Sequence, residues 1–304
     1  MMPRRLLISI TLLGCLLSTQ VLAEKGQWYR VELMIFTQGG STALNQESWE
    51  LAPQLNYPER YRFLIDPGQI RQRRNQYPDS LSKIDSMGRQ IIEAPTQHLP
   101  ARTDPNIPVS TSPPEETKPL RQPSAFVLRP HSERSFPGSY MQRQGGYQIL
   151  FHESWLQTLS HLSASRSIVI DNSGNDQRYP QLQGSVHLYN NRFVQLKTNI
   201  WLNTQGRYLP ESWQMPAPPL APASLIDQTA TDPAAATEDA PQTAPPYPFG
   251  HAIALKENQR IRTGEVHYID HPVLGVAIKL TALTAQDLDS LASATEAELA
   301  ELGL

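Results

Sequence analysis

One stretch near the C-terminus constrains the fold of this chain more than any other. Between Leu255 and Leu283 its centre reads Arg260-Ile-Arg-Thr-Gly-Glu-Val-His-Tyr-Ile-Asp-His-Pro-Val-Leu-Gly-Val-Ala-Ile-Lys-Leu280. From Arg260 to Tyr268, Ile261, Thr263, Glu265, His267 and Ile269 fall on one side while Arg262, Gly264, Val266 and Tyr268 fall on the other, which is the period of a strand. Val273 to Leu280 is nearly all apolar and predicts a strand with most of its surface buried. Pro272 fixes its own φ and keeps His271 out of helical conformation, so Ile269-Asp-His-Pro272 forms a corner between the two. A hairpin alone is marginal in water. The rest of the chain must supply strands for it to join.

Those strands are legible upstream. Gln27 to Phe36 carries large apolar groups on both faces, which fits a central strand, and Gly39-Gly40 ends it. Tyr147 to Trp155 and Ser167 to Ile170 follow, the second closed by Asp171-Asn-Ser-Gly174. Gly184 to Tyr189 and Arg192 to Leu202 flank Asn190-Asn191, a dipeptide suited to a tight hairpin. Weak helical spacing predicts a short helix over Ser80 to Glu93. A Thr284 cap before Leu288, Leu291, Ala292, Leu299 and Leu302 predicts a helical tail over 284–304.

Two segments break the pattern. Pro95 to Pro130 has nine prolines in 36 residues, and Leu209 to Pro248 has ten prolines and nine alanines in 40. Neither carries enough apolar side chains to offset its ordering entropy, so both are expected to be disordered insertions. The predicted fold is therefore α+β: a mainly antiparallel sheet of about seven strands with a few short helices and two long Pro-rich insertions, in one domain over 24–283.

The first residues address the compartment. Arg4 and Arg5, the apolar run Leu6 to Leu17, and Val21-Leu-Ala23 before Glu24 have the layout of a cleaved secretory signal over 1–23. The run is too short for a membrane span, and no other stretch approaches the roughly twenty apolar residues a span needs, so no integral membrane protein is expected. Cys15, in a Leu-Leu-Gly-Cys sequence that faintly resembles a lipidation box, is the only cysteine, so cleavage after Ala23 leaves a chain without disulfides or thiol chemistry. Losing Arg4 and Arg5 takes the formal charge from −3 to −5, which argues against nucleic-acid binding.

Candidate chemistry gathers in the same C-terminal stretch. Glu265, His267, Asp270 and His271 lie within seven residues, and two imidazoles with two carboxylates are the groups a metal-dependent or acid/base hydrolase would use. The ordinary interpretation is stronger: Asp270 caps the turn, His271 precedes Pro272 in extended conformation, and Glu265 pairs with a basic group. His152-Glu-Ser-Trp-Leu156 lacks the second histidine of a His-Glu-x-x-His zinc helix, and no nucleophile, phosphate loop or dinucleotide pattern stands out. No catalytic residue, metal or cofactor is therefore expected. Aromatic side chains are the other resource, because the five tryptophans with Tyr147, Tyr189 and Tyr268 supply flat faces for sugar or peptide.

Trp28 to Phe36, Tyr147 to Trp155, Gly184 to Leu202 and above all Arg260 to Gly275 resemble the CsiV family of exported bacterial proteins, described as peptidoglycan-binding. The resemblance runs from Trp28 to about Leu283 and carries no catalytic residues with it. It implies a periplasmic, non-catalytic protein of Gram-negative cells that binds peptidoglycan and supports wall synthesis and cell shape, with a penicillin-binding synthase and its lipoprotein activator as partners. The expected contact surface is Arg262, Glu265, His267, Tyr268, Asp270 and His271, where hydrogen bonds to glycan hydroxyls or stem-peptide carboxylates can form. Alternatives are a wall hydrolase using Glu265, His267 and His271, and an adaptor whose Pro-rich arms hold partner proteins.

Overall fold

The computed structural model describes residues 26–76, 81–93, 123–172, 178–210, 213, 215–224 and 245–301. The proposed signal segment with Cys15, and the central parts of both Pro-rich segments, lie outside these residues. In chain order the elements are β1 (Trp28–Thr37), α1 (Gly40–Gln46), β2 (Tyr61–Arg62), α2 (Pro67–Gln76), β3 (Leu81–Ile84), β4 (Gln90–Glu93), α3 (Gly138–Gln144), β5 (Gln148–Thr158), β6 (Ser167–Val169), β7 (Leu182–Asn190), β8 (Val194–Thr204), β9 (His251–Leu255), β10 (Asn258–Arg260), β11 (Val266–Asp270), β12 (Leu274–Ala282) and α4 (Ala285–Glu301). The fold is α+β and mainly antiparallel.

Two sheets share one core. The first has the order β11-β12-β1-β5, and the second runs β10-β8-β7-β6-β2 with β9 also on β8. β1 is central, as its two apolar faces predict. Val31, Leu33 and Ile35 point into the core with Trp155 of β5 and Val276, Ile278 and Leu280 of β12, and meet Val186, Leu188, Leu196 and Ile200 of the second sheet. Residues 126–129 join the sheets on one side. Phe126 and Arg129 donate backbone N–H to Leu156 and Ser154 of β5, while Ile65 and Leu128 exchange bonds with Phe126 and Ile65. Among the described strands β2 and β6 pair in parallel, and an isolated parallel bridge links Ile65 to Val127.

Two expectations need correction. Ser80 to Glu93 is not a helix: β3 and β4 form an antiparallel hairpin, with Ser80 outside the described residues. Asp85 decides this, because its Oδ1 accepts from the backbone of Met87 at 2.8 Å and of Arg89 at 2.9 Å, closing a turn that a helix would forbid. Arg260 to Tyr268 is not one strand. β10 stops at Arg260, the chain turns through Gly264 at φ +84°, and β11 starts at Val266 on the other sheet. The crossing is seen in Ile261 N–H bonding to Val194 O of β8 and Gly264 N–H to Leu280 O of β12. The described flanks of the Pro-rich segments are ordered, with Val127, Met215 and Ala221 all buried.

Gly184 shows how closely the second sheet is built. It adopts φ +123°, and a Cβ there would stand 2.3 Å from Asn199 O and 2.7 Å from Ile200 Cα. Its N–H donates to Oδ1 of Asp171, which also takes the Tyr57 hydroxyl. Both clashing atoms are backbone and cannot swing away. Gly184→Ala is therefore expected to cost about 3 kcal/mol in urea unfolding, and a loss below about 1 kcal/mol would mean β7 and β8 relax freely.

Candidate functional site

The six residues expected to form the site do not form one cluster. Arg262 and Glu265 are exposed on the turn before β11 and pair with each other at 3.7 Å. His267 turns its Nε2 to the Arg262 backbone N–H at 2.7 Å. His271 packs against Trp49, with ring centroids 5.7 Å apart, and its Nδ1 takes the Val273 N–H. Burial holds its imidazole below the usual range, against the pull of Asp270. Of the three groups a hydrolase would need, Glu265 and His267 both engage Arg262 on the turn, while His271 packs apart from them on Trp49. Among the described residues no three His, Cys, Asp or Glu side chains gather as a metal requires.

Tyr268 and Asp270 do come together, on the outer face of the first sheet. Alternation along β11 puts both on that face, next to the outward residues of β12 and β1. The Tyr268 hydroxyl donates to Gln38 Oε1 at 2.7 Å or Asp270 Oδ1 at 3.1 Å, and Gln38 Nε2 donates to Asp270 Oδ1 at 2.7 Å and His271 O at 2.7 Å. Burial, then the bond to Asp270, raises the Tyr268 pKa to about 12. The hydroxyl therefore remains a donor across the physiological range.

The Tyr268 ring begins a strip of three. It stacks on Phe36 of β1, with centroids 6.2 Å apart and planes 12° apart, and Tyr147 meets the same Phe36 ring edge-on at 5.8 Å. Phe36 is only 3% exposed, while Tyr147 and Tyr268 are 41% and 44% exposed. Gly275 makes room for this arrangement: a Cβ there would stand 2.4 Å from the Phe36 ring and 3.0 Å from the Tyr268 hydroxyl. The result is an aromatic face across β11, β12, β1 and β5 with an amide and a carboxylate at one end. Aromatic faces with polar groups at the rim suit sugar rings, whose C–H faces pack on π clouds while their hydroxyls bond outward.

Farther along the same outer face of β1 a buried carboxylate fixes the neighbouring cover. Glu32, pointing outward from β1, accepts Ser135 N–H at 2.8 Å, Ser135 Oγ at 2.6 Å, Phe136 N–H at 2.8 Å and a bond from His152 Nε2 at 2.9 Å. Burial pushes its pKa up, but these bonds outweigh burial and bring it down to about 2. Residues 131–136 are thereby held against the sheet, and Phe136 and Met141 pack on Met34 and Phe36. A separate cleft of about 710 Å³ opens where Phe151 and Glu153 of β5 face α2 and the β3–β4 hairpin, and none of the six expected residues lines it.

Sequence reasoning singled out Tyr147, Tyr268 and Asp270 but missed Phe36, Gln38 and the Glu32–His152 pair. Trp155 and Trp201 are wholly buried, Trp28 and Tyr189 nearly so, and among the rings singled out from the sequence Tyr147 and Tyr268 are the two that stand more than 40% exposed. Among the described residues no helix is long and apolar enough to cross a membrane. No curated protein and no solved structure matches the chain. The model of the family described as "Peptidoglycan-binding protein, CsiV" does match it, over residues 5–283. With nearly its whole length covered by that match, the chain belongs to the CsiV family.

Proposed function

We propose that this is a non-catalytic periplasmic protein that binds peptidoglycan through the Tyr147–Phe36–Tyr268 strip. Gln38 and Asp270 take sugar hydroxyls at one end of the strip, and Arg262, Glu265 and His267 extend the polar rim along the turn before β11. His271, packed on Trp49, supports the corner from behind. The observation that carries the reading is the pair of half-exposed tyrosine rings held on one buried phenylalanine, since together they form a contiguous aromatic patch with polar groups at its rim, the kind of surface that marks a binding site. Support of wall synthesis and cell shape, through a penicillin-binding synthase and its lipoprotein activator, is the part that rests on the family resemblance alone.

The test is a pulldown of the chain from Glu24 on purified insoluble peptidoglycan, with released soluble fragments assayed in the same tube. Binding without release is the expected result. Fragment release would replace the binding module by a hydrolase, and absence of both would remove the wall from the proposal.

A further inference from the structure

The hairpin of β7 and β8 turns through Asn191, Arg192 and Phe193, and leaves Phe193 39% exposed. The Arg260 guanidinium lies over its ring at 3.5 Å, and that of Arg192 is 5.5 Å from it. The loop 160–165 is tied to the same hairpin by Asn190 N–H to Ser160 O at 2.9 Å and by Ser165 Oγ to His187 Nε2 at 2.6 Å. This loop carries Leu162, 45% exposed, and receives a hydrogen bond from Arg60 at Ser163 O. Lys197 stands opposite His187 in the β7–β8 register.

Four exposed cations, Arg60, Arg192, Lys197 and Arg260, therefore lie on or beside the two tied loops that carry the two exposed apolar side chains. Among the described residues none of the four forms an ion pair, although Glu59 and Glu257 are near in sequence. On the outer face of the first sheet, by contrast, arginines are neutralised: Arg30 and Arg129 share Glu133, and Arg134 pairs with Glu153. The unpaired charge is felt at His187, whose imidazole is held below its usual range by burial and then by Lys197 and Arg60. In a chain of net charge −3, such a local excess of positive charge attracts an anionic partner.

We propose that the tip formed by Phe193, Leu162 and these four cations docks peripherally on an anionic lipid bilayer. Phe193 and Leu162 enter the headgroup boundary, and the guanidiniums held around the Phe193 ring meet lipid phosphates at the same depth. A bilayer fits this tip better than an acidic protein groove does, because the apolar groups protrude from two loops and form no concave or ridged complement. The proposal is independent of the wall-binding face, which uses other residues.

Co-sedimentation of the chain from Glu24 with vesicles tests it, using phosphatidylglycerol mixed with phosphatidylethanolamine, and phosphatidylcholine as the uncharged control. Binding to the anionic vesicles alone, weakened by salt, is expected. Each basic residue is worth about fivefold in partitioning, so Arg192→Ala with Arg260→Ala should weaken association by roughly twentyfold, and Phe193→Ser should remove what survives at high salt. These substitutions are at the surface, and an unchanged thermal midpoint with unchanged wall pulldown will show that the variants are folded. No sedimentation with anionic vesicles, equal sedimentation with both kinds, or wild-type behaviour of the double arginine variant would each overturn the proposal. Capture of an acidic protein or of wall polymer by this tip without vesicle binding would overturn it as well.

Discussion

Replacing Tyr147 and Tyr268 together with alanine is expected to weaken binding to insoluble peptidoglycan by roughly thirtyfold or more. Each ring offers a face for one sugar, and covering it contributes apolar burial together with the directional attraction of a π face for C–H groups. For two rings this amounts to about 2 kcal/mol or more. The fold should tolerate the change, because both rings are over 40% exposed and Phe36 beneath them stays packed by Phe136, Met141 and Ile149. Tyr268→Phe separates the two contributions: it keeps the stack and loses only the hydroxyl that bonds Gln38 and Asp270, so a few-fold loss is expected. The comparison variant is Arg262→Ala with His267→Ala, whose side chains lie outside the strip. If that variant loses binding while the double tyrosine variant retains it, the contact belongs to the turn before β11 and the strip has no part in it.

The legible and illegible parts of this molecule divide along a physical line. Strands β1, β5, β8 and β12 are readable because each has at least one buried face, so burial writes either an alternating or a continuous apolar run into the local sequence. The segment Ser80 to Glu93 was misread because Ile84, Ile91 and Ile92 are too few to separate a helical period from a strand period, and the Asp85 turn outweighed the spacing. α2 went unseen for the opposite reason. Its only buried residues are Pro67 and Ile70, so it has almost no apolar stripe, and its signal is the Asp66-Pro67 start, where Asp66 Oδ1 accepts from Gly68 N–H at 2.8 Å. In the candidate site, Tyr268 and Asp270 stand two apart on one strand and were visible. Phe36, Gln38 and Tyr147 reach them only through the β1–β12 and β1–β5 registers, which no local pattern encodes.

The outward face of β1 also places a buried carboxylate whose bonds tie residues 131–136 to the sheet. Removing the Glu32 side chain by Glu32→Ala is expected to cost about 4 kcal/mol, because Ser135 N–H, Phe136 N–H and the His152 ring would lose their shared acceptor in a place water barely reaches. Glu32→Gln keeps the shape and loses the charge, so it should cost about half as much and isolate the titration. The folded carboxyl, at about 2, lies below the ordinary value of 4.5, so its stabilisation is complete above pH 4.5 and is lost as pH falls toward 2. With a side chain 6% exposed, that loss is on the order of 3 kcal/mol. Asp171 acts in the other direction. Burial raises it to about 7 from 3.8, so between those values the folded state binds more protons and gains stability as pH falls. Wild type should therefore hold or gain stability from pH 7 to about 4.5 and lose it steeply below, while Glu32→Gln keeps the first trend and loses much of the second. Urea midpoints measured across that range decide the matter, and parallel curves for the two proteins would mean that Glu32 is not the carboxylate whose protonation destabilises the fold in acid. Residues 131–136 carry Phe136 onto Phe36, so Glu32→Ala should also loosen the floor of the aromatic strip, and wall binding should weaken in a variant that touches none of the exposed rings.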